Sequence, residues 1–277
     1  MVGWLPFRAL RGLGAVLGFV AGSVLRIRRR HVEEAMARAG MVRGAGPSMY
    51  RALGASVFEL LWLAGKKRSL GSLIAVEARS RKAWERARAG GRGVVVAASH
   101  TGNWDAAACA MAAEGELLVV TKRLTMKGVD TFWQGARARH GVLLCDPEGA
   151  LSRGREVLAR GGAVAMMIDQ VPVSAKHAMV CEFLGAPALV DRAPAALAAR
   201  ARVPLVVVAE RRTRGPRVRA PECTHEIFVL DVIEPPKRAS RAWIEEATGR
   251  ATRALDAFVR ENPSEWLWMH RRWKGAS

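Results

Sequence analysis

The sequence predicts an α/β fold, a mostly parallel central sheet flanked by helices, and three observations carry that prediction. Short apolar runs recur along the chain: "VVVAA" (94–98), "ELLVVT" (116–121), "VLLC" (142–145), "AVAMMID" (163–169) and "LVVVAE" (205–210). Helix-like segments separate them, at roughly Trp104–Ala113, Val129–His140, Gly149–Arg160 and Val190–Arg202. The runs are apolar throughout rather than alternating, which is the pattern of strands covered on both faces.

The N-terminal stretch "MVGWLPFRALRGLGAVLGFVAGSVLRIRRR" is apolar apart from Arg8 and Arg11, and it closes on Arg26, Arg28, Arg29 and Arg30. Its uninterrupted part, Gly12 to Leu25, is 14 residues, shorter than the ~20 a spanning helix needs. A signal peptide carries its charges before the apolar run, whereas here they follow it. The expectation is a membrane-embedded or interfacial helix with its arginines at the headgroups, and a buried core helix is the alternative. Residues 1–30 form this anchoring element, and residues 31–277 form a single α/β domain.

Further along, "SMYRALGASVFELLWLAG" places Tyr50, Leu53, Val57, Leu60, Leu61 and Ala64 on one helical face, ended by Lys66–Arg68 and Gly71. "SRKAWERARAGGRG" reads as a helix stopped at Gly90 and Gly91. "HEIFVLDVI" (225–233) alternates and suits an antiparallel addition to the sheet. Ser240 then opens a long helix whose apolar face is Trp243, Ala247, Ala251, Leu255 and Phe258, ending at "ENPSEW". No internal repeat or low-complexity linker divides the body.

Half of the 277 residues are hydrophobic, enough for a sizeable core and inconsistent with wholesale disorder. The 44 Lys and Arg against 25 Asp and Glu give a net charge of +19, which points to an anionic partner such as lipid, nucleic acid or an acidic protein. Cys109, Cys145, Cys181 and Cys223 stand alone with no C-x-x-C pair, so no zinc site is expected, and Cys109, Cys145 and Cys223 read as small buried apolar side chains.

The stretch "VVVAASHTGNWD" reads as strand, tight loop and helix start, which puts His100 at the carboxyl end of a strand, where open α/β sheets bind ligands. Gly102 permits a sharp turn, Thr101 or Asn103 caps the helix, and Asp105 in its first turn suits the helix dipole. Folded back, Asp105 would fix the tautomer of His100 and leave the other ring nitrogen free to take a proton from a hydroxyl. An arbitrary H-x4-D is more often a satisfied loop histidine beside a first-turn aspartate. Lys122 or Arg123, ending another strand on that edge, would stabilise an oxyanion or hold a phosphate. Asp169 and Gln170 close a third strand there and would bind substrate or order the site, and Arg192 would bind phosphate. In "WLWMHRRWK", Trp266, Trp268 and Trp273 interleave with His270, Arg271, Arg272 and Lys274, a composition of headgroup zones; His270 reads as structural.

"HTGNWD" is similar to the H-x4-(D/E) motif of glycerolipid-type acyltransferases, and it resembles most closely the bacterial lipid A biosynthesis lauroyl/myristoyl transferases, where "HTGNWE" is typical. "LARGGAVAMMIDQVP" (158–172), "CEFLGAPALVDRAPAALAARARVPLVVV" (181–208) and "NPSEWLWMHRRWK" (262–274) resemble further segments of that family in the same order. The departures are Asp for Glu at 105, "VVTKRLTMKG" with Lys122 or Arg123 where the family carries an Arg after its second strand, and an unusual "KHAMVCEF" around His177. The resemblance implies a glycerolipid acyltransferase-like fold and transfer of a fatty acyl chain from an acyl-carrier-protein thioester, or acyl-CoA, to a lipid hydroxyl, without metal or cofactor. It implies a lipid A precursor as acceptor, with phosphatidylinositol-mannoside-type and other lipids as alternatives. His100 would be the general base and Asp105 its orienter, with Asn103, Lys122, Arg123, Asp169, Gln170 and Arg192 binding substrate. The partners would be acyl carrier protein, an anionic glycolipid and the cytoplasmic face of the inner membrane, not nucleic acid. A basic, non-catalytic membrane- or nucleic-acid-binding protein is the competing class.

Overall fold

The structure of the chain is a computed structural model that describes residues 6–41, 44–65, 70, 73–172, 174–213 and 223–275. Its centre is a seven-stranded sheet in the order β1-β9-β8-β2-β5-β3-β4. The strands are β1 (Ile74–Val76), β2 (Val94–Ala98), β3 (Leu117–Val120), β4 (Val142–Cys145), β5 (Ala163–Met167), β8 (Leu205–Arg212) and β9 (His225–Ile233). β8, β2, β5, β3 and β4 run parallel, whereas β9 is antiparallel to β8 and carries the short β1 alongside it. The α/β expectation and the antiparallel reading of 225–233 both hold.

Continuous apolar strands follow from two cores, one on each face. Val95 and Ala97 of β2 point into a core shared with Leu118, Val164 and Phe258, while Val94 and Val96 point into one shared with Leu63, Cys109 and Leu117. Alternate side chains of one strand therefore serve opposite faces, and no position is left for a polar residue.

The helices are α1 (Phe7–Phe19), α2 (Arg29–Arg38), α3 (Ala45–Gly65), α4 (Ala78–Ala87), α5 (Trp104–Glu114), α6 (Lys127–Arg139), α7 (Ala150–Ala159), α8 (Ala193–Ala201) and α9 (Arg241–Glu261). Ser240 caps α9 by accepting the Trp243 N–H at 3.1 Å. The helix expected from Val190 begins only at Ala193. Residues up to Asp191 instead form β7 (Ala186–Asp191), hairpin partner of β6 (Ala178–Phe183). Pro194 sits in the first turn of α8, where proline is tolerated, and the Asp191 carboxylate accepts the Ala193 N–H at 2.9 Å. The stop at Lys66–Arg68 and Gly71 lies outside the described residues.

α1 continues through a π-helical turn, Val20–Val24, and docks along α3. Gly14, Gly18 and Gly22 line its inner face, and a Cβ on Gly18 would overlap the Tyr50 carbonyl just as one on Gly54 would overlap that of Gly14. Small residues spaced by four let the two backbones approach this closely. The stretch Phe7–Val24 meets the length and apolarity of a membrane span, and only 22% of it is buried.

Candidate active site

The register of two neighbouring strands builds the site. Ala98 at the end of β2 pairs with Met167 at the end of β5, and the Ile168 N–H donates to the Ala98 carbonyl at 3.0 Å. His100 and Asp169 each stand two residues beyond this pair and therefore meet. Asp169 accepts three N–H groups: His100 Nδ1 at 2.9 Å, the His100 backbone N–H at 2.8 Å and Trp266 Nε1 at 2.8 Å. Its carboxylate is 1% exposed. Burial alone would raise its pKa, but the charge and hydrogen bonds of His100, with the Trp266 N–H, hold it down at about 2.

An ionised Asp169 on Nδ1 assigns the proton to that nitrogen and leaves the lone pair on Nε2. The Gln170 side-chain amide lies 3.3 Å from Nε2. The imidazole is 17% exposed and packs edge-to-face on Trp104 at 5.0 Å. A partly open, oriented imidazole with an Nε2 lone pair is equipped for general-base chemistry.

Asp105 is elsewhere. It sits in the first turn of α5 with its Oδ1 bound to Arg137 of α6, at 2.6 Å from Nε and 2.5 Å from a terminal nitrogen. Arg137 also reaches Thr121 and Gln134. The expected His100–Asp105 pairing is thus replaced by His100–Asp169, because the helix starts at Trp104 and turns Asp105 toward α6.

The remaining sequence-predicted residues divide sharply. Asn103 is the α5 cap, its Oδ1 accepting the Ala106 N–H at 3.0 Å and its Nδ2 donating to Glu59 at 2.8 Å, so its polar atoms are spent in the interior. Arg123 is paired with Asp130 at 3.2 Å and Asp146 at 3.3 Å, away from His100, whereas Lys122 is exposed at the end of β3. Arg192 donates to the carbonyls of His177 and Lys176 and faces Glu245, which fixes the start of the β6–β7 hairpin instead of presenting a free cation. Gln170 alone of this set joins Asp169 at His100.

The C-terminal segment is part of the frame. Thr101 and Trp266 form an antiparallel bridge, the Gly102 N–H donates to the Glu265 carbonyl at 2.8 Å, and the Leu267 N–H donates to the His100 carbonyl at 3.1 Å. Trp266, Trp268 and Arg272 are at most 2% exposed. They are core and site walls, not the headgroup contacts their composition suggested. Trp268 and Trp273 donate to the carbonyls of Pro263 and Phe183, and Arg272 packs on the Phe183 ring. His270 Nε2 accepts the Val171 N–H at 3.1 Å, beside Gln170.

Under α5 a narrow cavity of about 50 Å3 is lined by Val96, Ala98, Trp104, Ala108, Met111 and Leu117, among others. Its lining includes Ser99 and Thr101, the residues on either side of His100. Cys109, Cys145 and Cys223 are buried, as expected, and burial pushes the Cys109 thiol up to about 12. Among the described residues no group of three or more His, Cys, Asp or Glu is arranged to hold a metal ion.

Comparison with known families places this arrangement. The family model for bacterial lipid A biosynthesis acyltransferases matches residues 50–275. The chain belongs to the bacterial lipid A biosynthesis acyltransferase family. A search of curated proteins returned no match. In this acyltransferase the family match spans the His100 loop, Asp169 and the C-terminal segment that bridges them. It begins within α3, so α1 and α2 lie outside it.

Proposed function

We propose that the protein transfers a fatty acyl chain from an acyl-carrier-protein thioester to a hydroxyl of a lipid A precursor, with His100 as general base. The observation that carries the reading is the Asp169–His100 pair, which holds the proton on Nδ1 and leaves the Nε2 lone pair on a partly exposed ring. Nε2 takes the proton of the acceptor hydroxyl as its oxygen attacks the thioester carbon. The tetrahedral oxyanion collapses, the C–S bond breaks, and the imidazolium returns its proton to the departing thiolate. Asp169 stabilises that imidazolium while remaining ionised.

The backbone N–H groups of His100, Gly102 and Asn103 are all bound internally. The Gln170 amide, already beside Nε2, supplies the oxyanion donor in this mechanism, with Lys122 contributing a positive field. The acyl chain enters the cavity under α5. At its present width it admits a chain by movement of Met111 and Met167, whose unbranched side chains adapt readily.

α1 turns its glycines to α3 and leaves Leu13, Val16 and Leu17 between 45 and 59% exposed, with Val24, Leu25 and Ile27 exposed beyond it. An outward apolar face followed by Arg26, Arg28, Arg29 and Arg30 supports seating at the anionic cytoplasmic surface of the inner membrane, next to the lipid acceptor. Lipid mass spectrometry of cells lacking the gene tests the function: a lipid A species short of one acyl chain supports it, restored by the wild-type gene but not by His100→Ala. An unchanged lipid A profile refutes the acceptor.

A further inference from the structure

Behind the His100 loop lies a cluster of five charged side chains: Glu59 of α3, Glu210 and Arg212 of β8, His225 of β9, and Glu265. Each is at most 9% exposed. His225 bridges two of the carboxylates, with Nδ1 at 2.6 Å from Glu210 Oε1 and Nε2 at 3.1 Å from Glu59 Oε2. Arg212 ties Glu59, at 3.1 Å, to Glu265, at 3.4 Å. Burying so many charges is costly, and apolar packing of the same volume would stabilise a fold at least as well. The cluster's contacts show where its polarity is directed.

Both carboxylates beside His225, Glu210 held by a hydrogen bond and Glu59 by ion pairing alone, themselves bind Asn103. Glu210 Oε2 accepts the Asn103 backbone N–H, and Glu59 Oε2 accepts the Asn103 side-chain amide at 2.8 Å. Glu210 also donates its own N–H to Thr101 Oγ1 at 3.0 Å. Ser56, which receives a hydrogen bond from Arg212 at 2.7 Å, donates to the Gly102 carbonyl at 2.9 Å. Gly102 has φ of +58°, and a Cβ there would overlap the Glu210 carboxylate, so the residue must be glycine on two grounds. The antiparallel β9 makes this possible, because its first residue, His225, arrives at the carboxyl edge beside Glu210 and pairs with Arg212.

We propose that His225 is a positioning residue for acyl transfer: by holding Glu210 and Glu59 together it clamps Asn103, and through residues 101–103 it sets where His100 stands. The inference rests on the reading of His100 as the base. His225 does not contact His100, and it meets the cavity only through Glu210, one of its lining residues; it acts through the loop. Displacing a base by about 1 Å costs on the order of 10²-fold in rate.

The test measures kcat and KM at 25 °C for dodecanoyl transfer from acyl carrier protein to a phosphorylated glucosamine-disaccharide lipid A precursor, with folding checked by circular dichroism. In His225→Gln, kcat falls about 10- to 100-fold with KM within about threefold. Adding Glu210→Gln to that variant removes the unbalanced carboxylate, keeps an oxygen for the Asn103 N–H and recovers part of kcat. If His225→Gln does not fold, Glu59→Gln removes one arm of the clamp at constant shape and carries the same expectation. Wild-type kcat in a folded His225→Gln, or in a folded Glu59→Gln, overturns the proposal. So does a double variant with no recovery, which leaves only a packing role. His100→Ala separates the layers: inactivity there with full turnover in His225→Gln removes this inference alone, whereas activity in His100→Ala removes the reading beneath it.

Discussion

Asp169 and His100 share two hydrogen bonds, one to the ring at 2.9 Å and one to the backbone N–H at 2.8 Å, so a single carboxylate fixes both the tautomer and the position of the imidazole. Asp169→Asn keeps the shape and loses the charge that supports the imidazolium. The expected result is a kcat lower by about 10²–10⁴-fold with KM little changed, read by steady-state transfer assays.

Asp105 has a different role, and stability is the readout. Asp105→Ala leaves Arg137 buried without a carboxylate, a loss of about 3–5 kcal/mol. Replacing Arg137 with Gln in the same chain recovers much of it. Chemical denaturation of the single and double variants checks the coupling; additive losses would place Asp105 outside an ion pair.

The pH dependence of stability follows from two buried groups. Asp169 titrates at about 2 when folded, below its ordinary 3.8, so its contribution is present above pH 4 and is lost as pH falls from there toward 2. Burial opposes a charge on His225, but Glu210 and Glu59 outweigh it and raise it from 6.5 to about 9. Its contribution is therefore full below pH 6.5 and lost as pH rises toward 9. Melting temperatures across this range should be highest between about pH 4 and 6.5 as far as these groups decide it. In His225→Gln the decline above pH 6.5 should flatten.

Met111 lines the cavity under α5. Met111→Ala removes three side-chain heavy atoms and should lengthen the preferred acyl chain by roughly two to three methylenes, each worth ~0.8 kcal/mol of burial. Competition between dodecanoyl and longer donors measures the shift; an unchanged preference would place the chain elsewhere.

The α1–α3 contact depends on glycine. Gly54→Leu should pry the helices apart and cost about 1–3 kcal/mol or more, read as a lower melting temperature in detergent. A comparable change at the exposed Gly12, which has open space around it, should cost far less.

Much of this molecule was legible in its sequence because its strands are short, apolar and bounded by turns. Residues 94–98 and 142–145 fall on β2 and β4 as read, and Ser240 caps α9. The hairpin over 178–191 was not legible, since "APALVD" is as apolar as a helix face, and a three-residue strand such as β1 carries no period to detect. Asp105 was misplaced for a geometric reason. Spacing says only that His100 and Asp105 are five residues apart, whereas the partner of His100 is set by the pairing of β2 with β5, which is long-range. Asp169 stands at a strand end in the sequence, but its role follows only from that register. Arg137, Glu59, Glu210 and His225 left no signal, because a buried charge on a helix or strand looks like any surface charge in a chain with 44 Lys and Arg. Gly14, Gly18 and Gly22, spaced by four in an apolar run, mark the face that docks on α3. The tryptophans of the C-terminal segment misled because composition does not distinguish a headgroup belt from the buried frame of a site.

Dodecanoyl transfer from acyl carrier protein to a lipid A precursor by purified, folded His100→Ala tests the central claim most directly. With His100 as the base, that variant retains no more than about 10⁻² of wild-type turnover. Turnover at the wild-type rate would contradict the account.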